Sequence, residues 1–137
     1  MRALLLLVFV PAIAAGQGVD DQPRCFKVAY DSAQRGAMPG MFPPSFILMP
    51  GEGRGQVRLP DSLTFIYYRP GLGATSWSYR NGHYSLMIES GESGVSFWLD
   101  VRGDSLVGHV RHYTDAASAP EPTMRAIATP YPCGVLK

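Results

Sequence analysis

The sequence lacks the features that mark several classes of protein. It has two cysteines and three histidines among 137 residues, and neither cysteine belongs to a CxxC pair. This excludes a zinc finger of the usual ligand spacing. Charged residues make up 17%, and the 12 Lys and Arg nearly balance the 11 Asp and Glu. Without a basic excess, binding to nucleic acid or to an anionic membrane surface is not expected.

The chain has one long apolar run, which lies in residues 1–16. The run begins with a single positive charge at Arg2, is interrupted by Pro11 and ends in small residues. A membrane-spanning helix needs about 20 apolar residues, so a shorter run broken by proline is typical of a secretory signal peptide. We therefore predict a signal peptide at 1–16, export to the periplasm or the extracellular space, and a single domain at 17–137 that does not span the membrane.

The two cysteines, Cys25 and Cys133, lie near the two ends of the predicted mature chain. Export delivers their thiols to an oxidising compartment, where a disulfide persists. We predict one Cys25–Cys133 bridge. Such a bridge requires the first and last structural elements to lie side by side.

β-Strand signals run through the rest of the chain. Short segments rich in β-branched and aromatic residues alternate with Gly and Pro clusters. They predict eight to nine strands, of which four form a meander at 75–113. The runs outside the meander are 25–30, 45–49, 56–59, 63–68 and 124–129.

Three dipeptides predict two-residue hairpin turns within the meander. They are Asn81-Gly82, Gly91-Glu92 and Gly103-Asp104. Counting outward from each turn sets the register, for example Leu86 opposite Phe97. A slip of one residue in any hairpin would send half of the apolar side chains to the other face. All three turns nevertheless place one apolar set on a single face: Trp77, Tyr79, Tyr84, Leu86, Ile88, Val95, Phe97, Leu99, Val101, Leu106 and Val110.

These patterns predict an all-β domain, either a small antiparallel β-barrel or a sandwich, stapled by one disulfide. The end-to-end disulfide and the meander favour the barrel, because closure removes the exposed edges of a sheet.

The predicted barrel interior has two interpretations. Trp77, Tyr79, Tyr84 and Phe97 bring four aromatic rings into one region, and His112 lies near the strand end on the same side. These residues either fill the core or line a cavity in which the rings give contact area and the polar tips give orientation. On the second interpretation, the protein is a secreted binding module that holds a small apolar ligand.

The polar face of the meander carries the other candidate site. Trp98 should stand opposite His109, with Arg111 on the diagonal and Ser85 on the other neighbouring strand. We call this group of four residues the Trp98 face. A large aromatic among cationic and polar neighbours is typical of a protein-contact spot, unless Arg111 or a loop covers it. The alternative function is therefore an extracytoplasmic protein-binding module, such as a hydrolase inhibitor, acting through its loops or this face.

No pattern in the sequence predicts catalysis or a cofactor. His83 should face Asp100 across neighbouring strands, with Ser85 two residues along. Side chains two apart on a strand are about 7 Å apart, which is too far for direct proton transfer. His109 and His112 should point to opposite faces and so cannot chelate one metal. We expect a protein that is not an enzyme and uses no metal or other cofactor.

Overall fold

The structure, a computed structural model, describes residues 21–31, 42–60, 75–90, 93–114 and 123–135. The predicted signal peptide at 1–16 and the predicted strand at 63–68 lie outside these ranges. The described ranges contain eight strands and a short 3-10 helix at Cys133–Val135. The strands are β1 (Arg24–Tyr30), β2 (Ser45–Leu48), β3 (Arg54–Arg58), β4 (Thr75–Arg80), β5 (His83–Ser90), β6 (Ser93–Arg102), β7 (Ser105–Thr114) and β8 (Thr123–Tyr131).

The eight strands form a closed antiparallel barrel. Each strand pairs with its neighbours in the chain, and β1 also pairs with β8. This closing seam runs from Cys25 opposite Tyr131 to Tyr30 opposite Ala126. The disulfide joins Cys25 to Cys133, just beyond the end of β8. The predicted barrel and bridge are confirmed, and the sandwich is excluded.

The hairpin turns take the backbone conformations that their residues favour. Asn81 and Gly82 have φ values of 51° and 83°, as a type I′ turn requires at both central positions. Gly103 has a φ of 65° in the turn between β6 and β7. Gly91-Glu92 lies outside the described residues, but Ser90 pairs with Ser93, so two residues connect these strands.

The predicted register of the meander is confirmed. Tyr79 lies opposite Tyr84, Leu86 opposite Phe97, and Val95 opposite His112. The apolar set faces the interior, with one difference. Val101 is 41% exposed, because it lies next to the turn at 103–104, where the barrel ends.

The core is built from both halves of the barrel. Phe26 and Phe46 join the meander's apolar set, with ring centroids 5.4 Å apart. The small residues Ala126 and Ala128 on β8 are fully buried in the same core. Side chains thus pack across the middle of the barrel.

Candidate functional site

Three of the predicted ligand-binding residues form a cluster at the end of the barrel that carries the disulfide. The ring centroid of Tyr84 lies 4.8 Å from that of Tyr79 and 5.9 Å from that of Trp77. Tyr79 is partly buried, whereas Trp77 and Tyr84 belong to the buried core. We call these three residues the mouth cluster. Only Tyr79 of the three is partly accessible to solvent.

The other two predicted ligand-binding residues lie elsewhere. Phe97 is fully buried in the centre of the barrel, against Phe46. His112 is 5% exposed and lies opposite Val95, towards the other end of the barrel. Tyr84 is aligned through Leu99 with Gly108 on β7, and His112 lies four residues further along that strand. This is about 13 Å along the strand. The structure therefore does not bring the five predicted residues into one site.

Arg24, which the sequence did not single out, lies over the mouth cluster. Its Nη1 donates a hydrogen bond of 2.9 Å to the hydroxyl of Tyr84, and its guanidinium lies 5.3 Å from the ring centre of Phe26. Trp77 donates its indole N–H to the carbonyl oxygen of Met49 at 2.9 Å. The Tyr84 hydroxyl and the Trp77 indole, which would orient a ligand here, are thus already bonded to the protein.

Tyr30 plays a structural part near the opposite end. Its hydroxyl donates to the carbonyl oxygen of Pro43, and its ring lies 5.3 Å from that of Phe42. Burial raises the pKa of the Tyr30 hydroxyl well above its ordinary value. The neutral phenol therefore ties the start of the 42–60 segment to β1.

The structure brings the predicted residues of the Trp98 face together on the outside of the barrel. Trp98 lies opposite His109 on β7 and opposite Ser85 on β5. Arg111 lies opposite Ser96, which places it on the diagonal from Trp98. Trp98 is 50% exposed, so neither Arg111 nor another described residue covers it completely.

A groove runs beside Trp98 over the outer surface of β4, β5 and β6. Its volume is about 180 Å³. We call it the serine groove because four serine side chains from these strands line it. Sequence analysis did not predict a groove at these residues. Its lining residues are Ser76, Ser78, Ser85, Leu86, Met87, Ser96, Phe97 and Trp98.

A ligand can reach the serine groove from solvent and can form hydrogen bonds with its serine hydroxyls. Ser76, Ser78 and Ser85 are exposed, and Met87 is 41% exposed beside them. Ser96, in contrast, is only 7% exposed. Within the described part of the chain, the four serine hydroxyls make no hydrogen bond to another protein group. They can therefore bond a bound molecule without breaking protein contacts.

The serine groove itself carries no charge, and the nearest carboxylates are already engaged. Asp100 receives a 2.5 Å hydrogen bond from Nδ1 of His83, which confirms that these two residues face each other. Glu89 accepts a 3.2 Å hydrogen bond from the hydroxyl of Tyr113. No hydrogen bond joins His83 to Ser85 among the described residues. These contacts are two hydrogen bonds between side chains on neighbouring strands rather than a nucleophile activated by a base.

In the described ranges, no three His, Cys, Asp or Glu side chains are grouped so that they could hold a metal ion. No helix of the described part is long and apolar enough to cross a membrane.

No protein-family model, curated protein or solved structure matches the chain. The function is therefore argued from the surface and interior of the barrel.

Proposed function

We propose that the protein is a non-catalytic extracytoplasmic binding module that recognises its partner through the Trp98 face. The observation that carries this proposal is the half-exposed Trp98 side chain at the border of the serine groove. Tryptophan is among the residues that most often dominate binding energy at an interface, where it becomes fully desolvated. The disulfide supports an extracytoplasmic location, because such bonds persist in oxidising compartments.

The exposed area of Trp98 is large enough to matter energetically. A tryptophan side chain buries roughly 150–250 Å² when it is fully covered. Covering the exposed half, roughly 100 Å², would contribute about 2.5 kcal/mol at about 25 cal/mol per Å². That free energy corresponds to more than tenfold in affinity. Met87, which also lines the serine groove and lies between Ser76 and Ser96, adds apolar area.

The test compares the exported protein with two variants. Wild type, Trp98→Ala and Val101→Ala are immobilised in parallel and exposed to extracytoplasmic material from the source cells. The molecule that is retained is then purified and its affinity is measured by calorimetry. Val101→Ala is the matched control, because Val101 is 41% exposed on the same strand but outside the serine groove.

We expect Trp98→Ala to weaken binding at least tenfold and Val101→Ala to leave it unchanged. Equal affinity in all three proteins would contradict the proposal and direct attention to the loops.

A small apolar ligand in the barrel is the second candidate function. The observation that favours it is the partly buried ring of Tyr79, which stands at the mouth cluster against Tyr84. A ligand would sit at this end, because side chains fill the centre. Native mass spectrometry of the exported protein, purified without detergent, tests this proposal. An adduct that is lost on denaturation and absent from Tyr79→Ala would support it, whereas a bare mass would contradict it.

A further inference from the structure

We infer that the serine groove binds neutral carbohydrate, one sugar ring of an oligosaccharide at a time. This inference rests on the proposed function, because it names the occupant of the same face. It follows from the hydroxyl groups, the apolar walls, the charge and the size of the serine groove.

The hydroxyl groups determine what kind of molecule can replace water here. Ser78 lies opposite Ser85, while Ser76 and Ser96 flank Met87 on either side. Each hydroxyl donates one hydrogen bond and accepts up to two. A purely apolar side chain would strip water from these groups without replacing its hydrogen bonds, which is unfavourable. The occupant must therefore carry its own donors and acceptors.

The apolar side chains that line the serine groove favour an occupant that also has apolar surface. The indole of Trp98 and the thioether of Met87 are both substantially exposed beside the hydroxyl groups. A pyranose ring presents hydroxyl groups around its edge and C–H groups on its faces. Its edge matches the serines and its face matches the indole, so one small ring satisfies both surfaces.

The charge distribution favours a neutral sugar over an anion. No lining residue is ionisable, and the neighbouring carboxylates of Asp100 and Glu89 are already hydrogen-bonded. Arg111 borders the serine groove opposite Ser96, but it is already engaged in another interaction. On the β3 border, Arg54 lies opposite Ser78 and is exposed, so it is the uncharged lining, not the border, that favours a neutral sugar.

Topology and size argue against an added peptide strand and against a larger enclosed ligand. Peptides commonly bind a sheet by pairing with an exposed edge strand. Every described strand of this closed barrel pairs on both sides. The volume of about 180 Å³ is below the roughly 300–1,000 Å³ of pockets that enclose drug-sized ligands. A single ring of a chain that continues into solvent fits this volume better.

Nuclear magnetic resonance titration tests the inference, because the chain has two tryptophans with different environments. The ¹⁵N-labelled protein is titrated into the millimolar range with maltotetraose, cellotetraose and the N-acetylglucosamine tetramer. The indole N–H signal of Trp98 and the amides of Ser85 and Ser96 should shift with at least one sugar. The indole signal of Trp77 is the internal reference, since it is hydrogen-bonded to Met49 and buried.

Substitutions then separate stacking from hydrogen bonding. Trp98→Ala should weaken binding of the sugar at least tenfold, and Ser85→Val should weaken it several-fold. Ser105→Val is the matched control, because Ser105 lies at the turn beside Asp104, away from the serine groove. Circular dichroism of each variant verifies that the barrel is retained. Equal affinity of Trp98→Ala and wild type would overturn the inference.

The remaining outcomes distinguish this inference from the proposed function. If no sugar shifts the Trp98 signal while a purified protein partner depends on Trp98, the carbohydrate inference fails and the proposed function stands. If no sugar binds and the partner ignores Trp98→Ala, both fail.

Discussion

The rings of Phe46 and Phe97 meet in the centre of the barrel, with their centroids 5.6 Å apart. The two residues come from β2 and β6, which the strand order places on opposite walls. Both side chains are 0% exposed. Because the pair spans the interior, the middle of the barrel behaves as a close-packed core, in which lost volume is costly.

The core pair gives a direct prediction for stability. Phe97→Ala should lower the free energy of unfolding by about 3–5 kcal/mol, since it removes a buried ring and leaves a cavity. Urea denaturation measures the change. Val101→Ala is the control on the same strand and should cost less than about 1 kcal/mol, because Val101 is 41% exposed. A similar small cost for Phe97→Ala would mean that the centre is not packed around this ring.

The disulfide should contribute a large share of the stability. It closes a loop with a sequence separation of 108 residues, and removing a native bridge from a small exported domain typically costs about 2–5 kcal/mol. The paired Cys25→Ser and Cys133→Ser variant should therefore unfold at lower urea concentration. Reductant should lower the midpoint of the wild type and leave that of the double variant unchanged. An unchanged midpoint for the reduced wild type would refute this account.

The turn at Gly82 should be sensitive to side-chain addition for a conformational reason alone. Its φ is 83°, and an added Cβ would meet nothing within 4 Å. Gly82→Ala should thus cost about 1–2 kcal/mol, the penalty for placing an L-residue in the left-handed region. Thermal denaturation measures the change. At Gly134 an added Cβ also meets nothing within 4 Å, and φ is not positive, so Gly134→Ala should leave the stability nearly unchanged. Equal costs would show that conformation at Gly82 is not the cause.

Tyr30 should make the fold sensitive to alkali. Burial raises its pKa in the folded protein, so folding favours the neutral phenol. This contribution is complete below the unfolded pKa of about 10 and is lost as the pH rises above that value. The free energy of unfolding should therefore fall above about pH 10 in the wild type and fall less steeply in Tyr30→Phe.

The same variant has a separate cost at neutral pH. Tyr30→Phe loses the hydrogen bond to the Pro43 carbonyl, worth about 0.5–1.5 kcal/mol. Tyr131→Phe is the control, since it removes a hydroxyl from a ring beside Lys27 and leaves Tyr30 intact. It should retain the steep alkaline decline, and a decline of equal slope in Tyr30→Phe would contradict the role of Tyr30.

The meander was predictable because its register follows from local chemistry. Asn81-Gly82 fixes a two-residue turn, and a period of two then determines which residues face inward. The pairing of Leu86 with Phe97 follows from counting alone. The paired cysteines supplied the one long-range constraint, that β1 lies beside β8.

Contacts across the barrel were not predictable in this way. Arg24 on β1 bonds Tyr84 on β5, two strands that are not neighbours in the sheet. Only closure of the barrel brings these side chains together over its mouth. The serine groove likewise depends on which small side chains lie together on β4, β5 and β6. Alternating polar residues in the sequence indicate that a face is exposed to solvent, but they do not indicate its shape.

The position of the disulfide also has a mechanical consequence. A pulling force applied to the chain before Cys25 and after Cys133 passes through the covalent bond and does not load the strands. The enclosed residues, with a separation of 108, represent roughly 350 Å of chain at full extension. While the bond is oxidised, this length stays hidden, and the barrel acts as an inextensible link under tension.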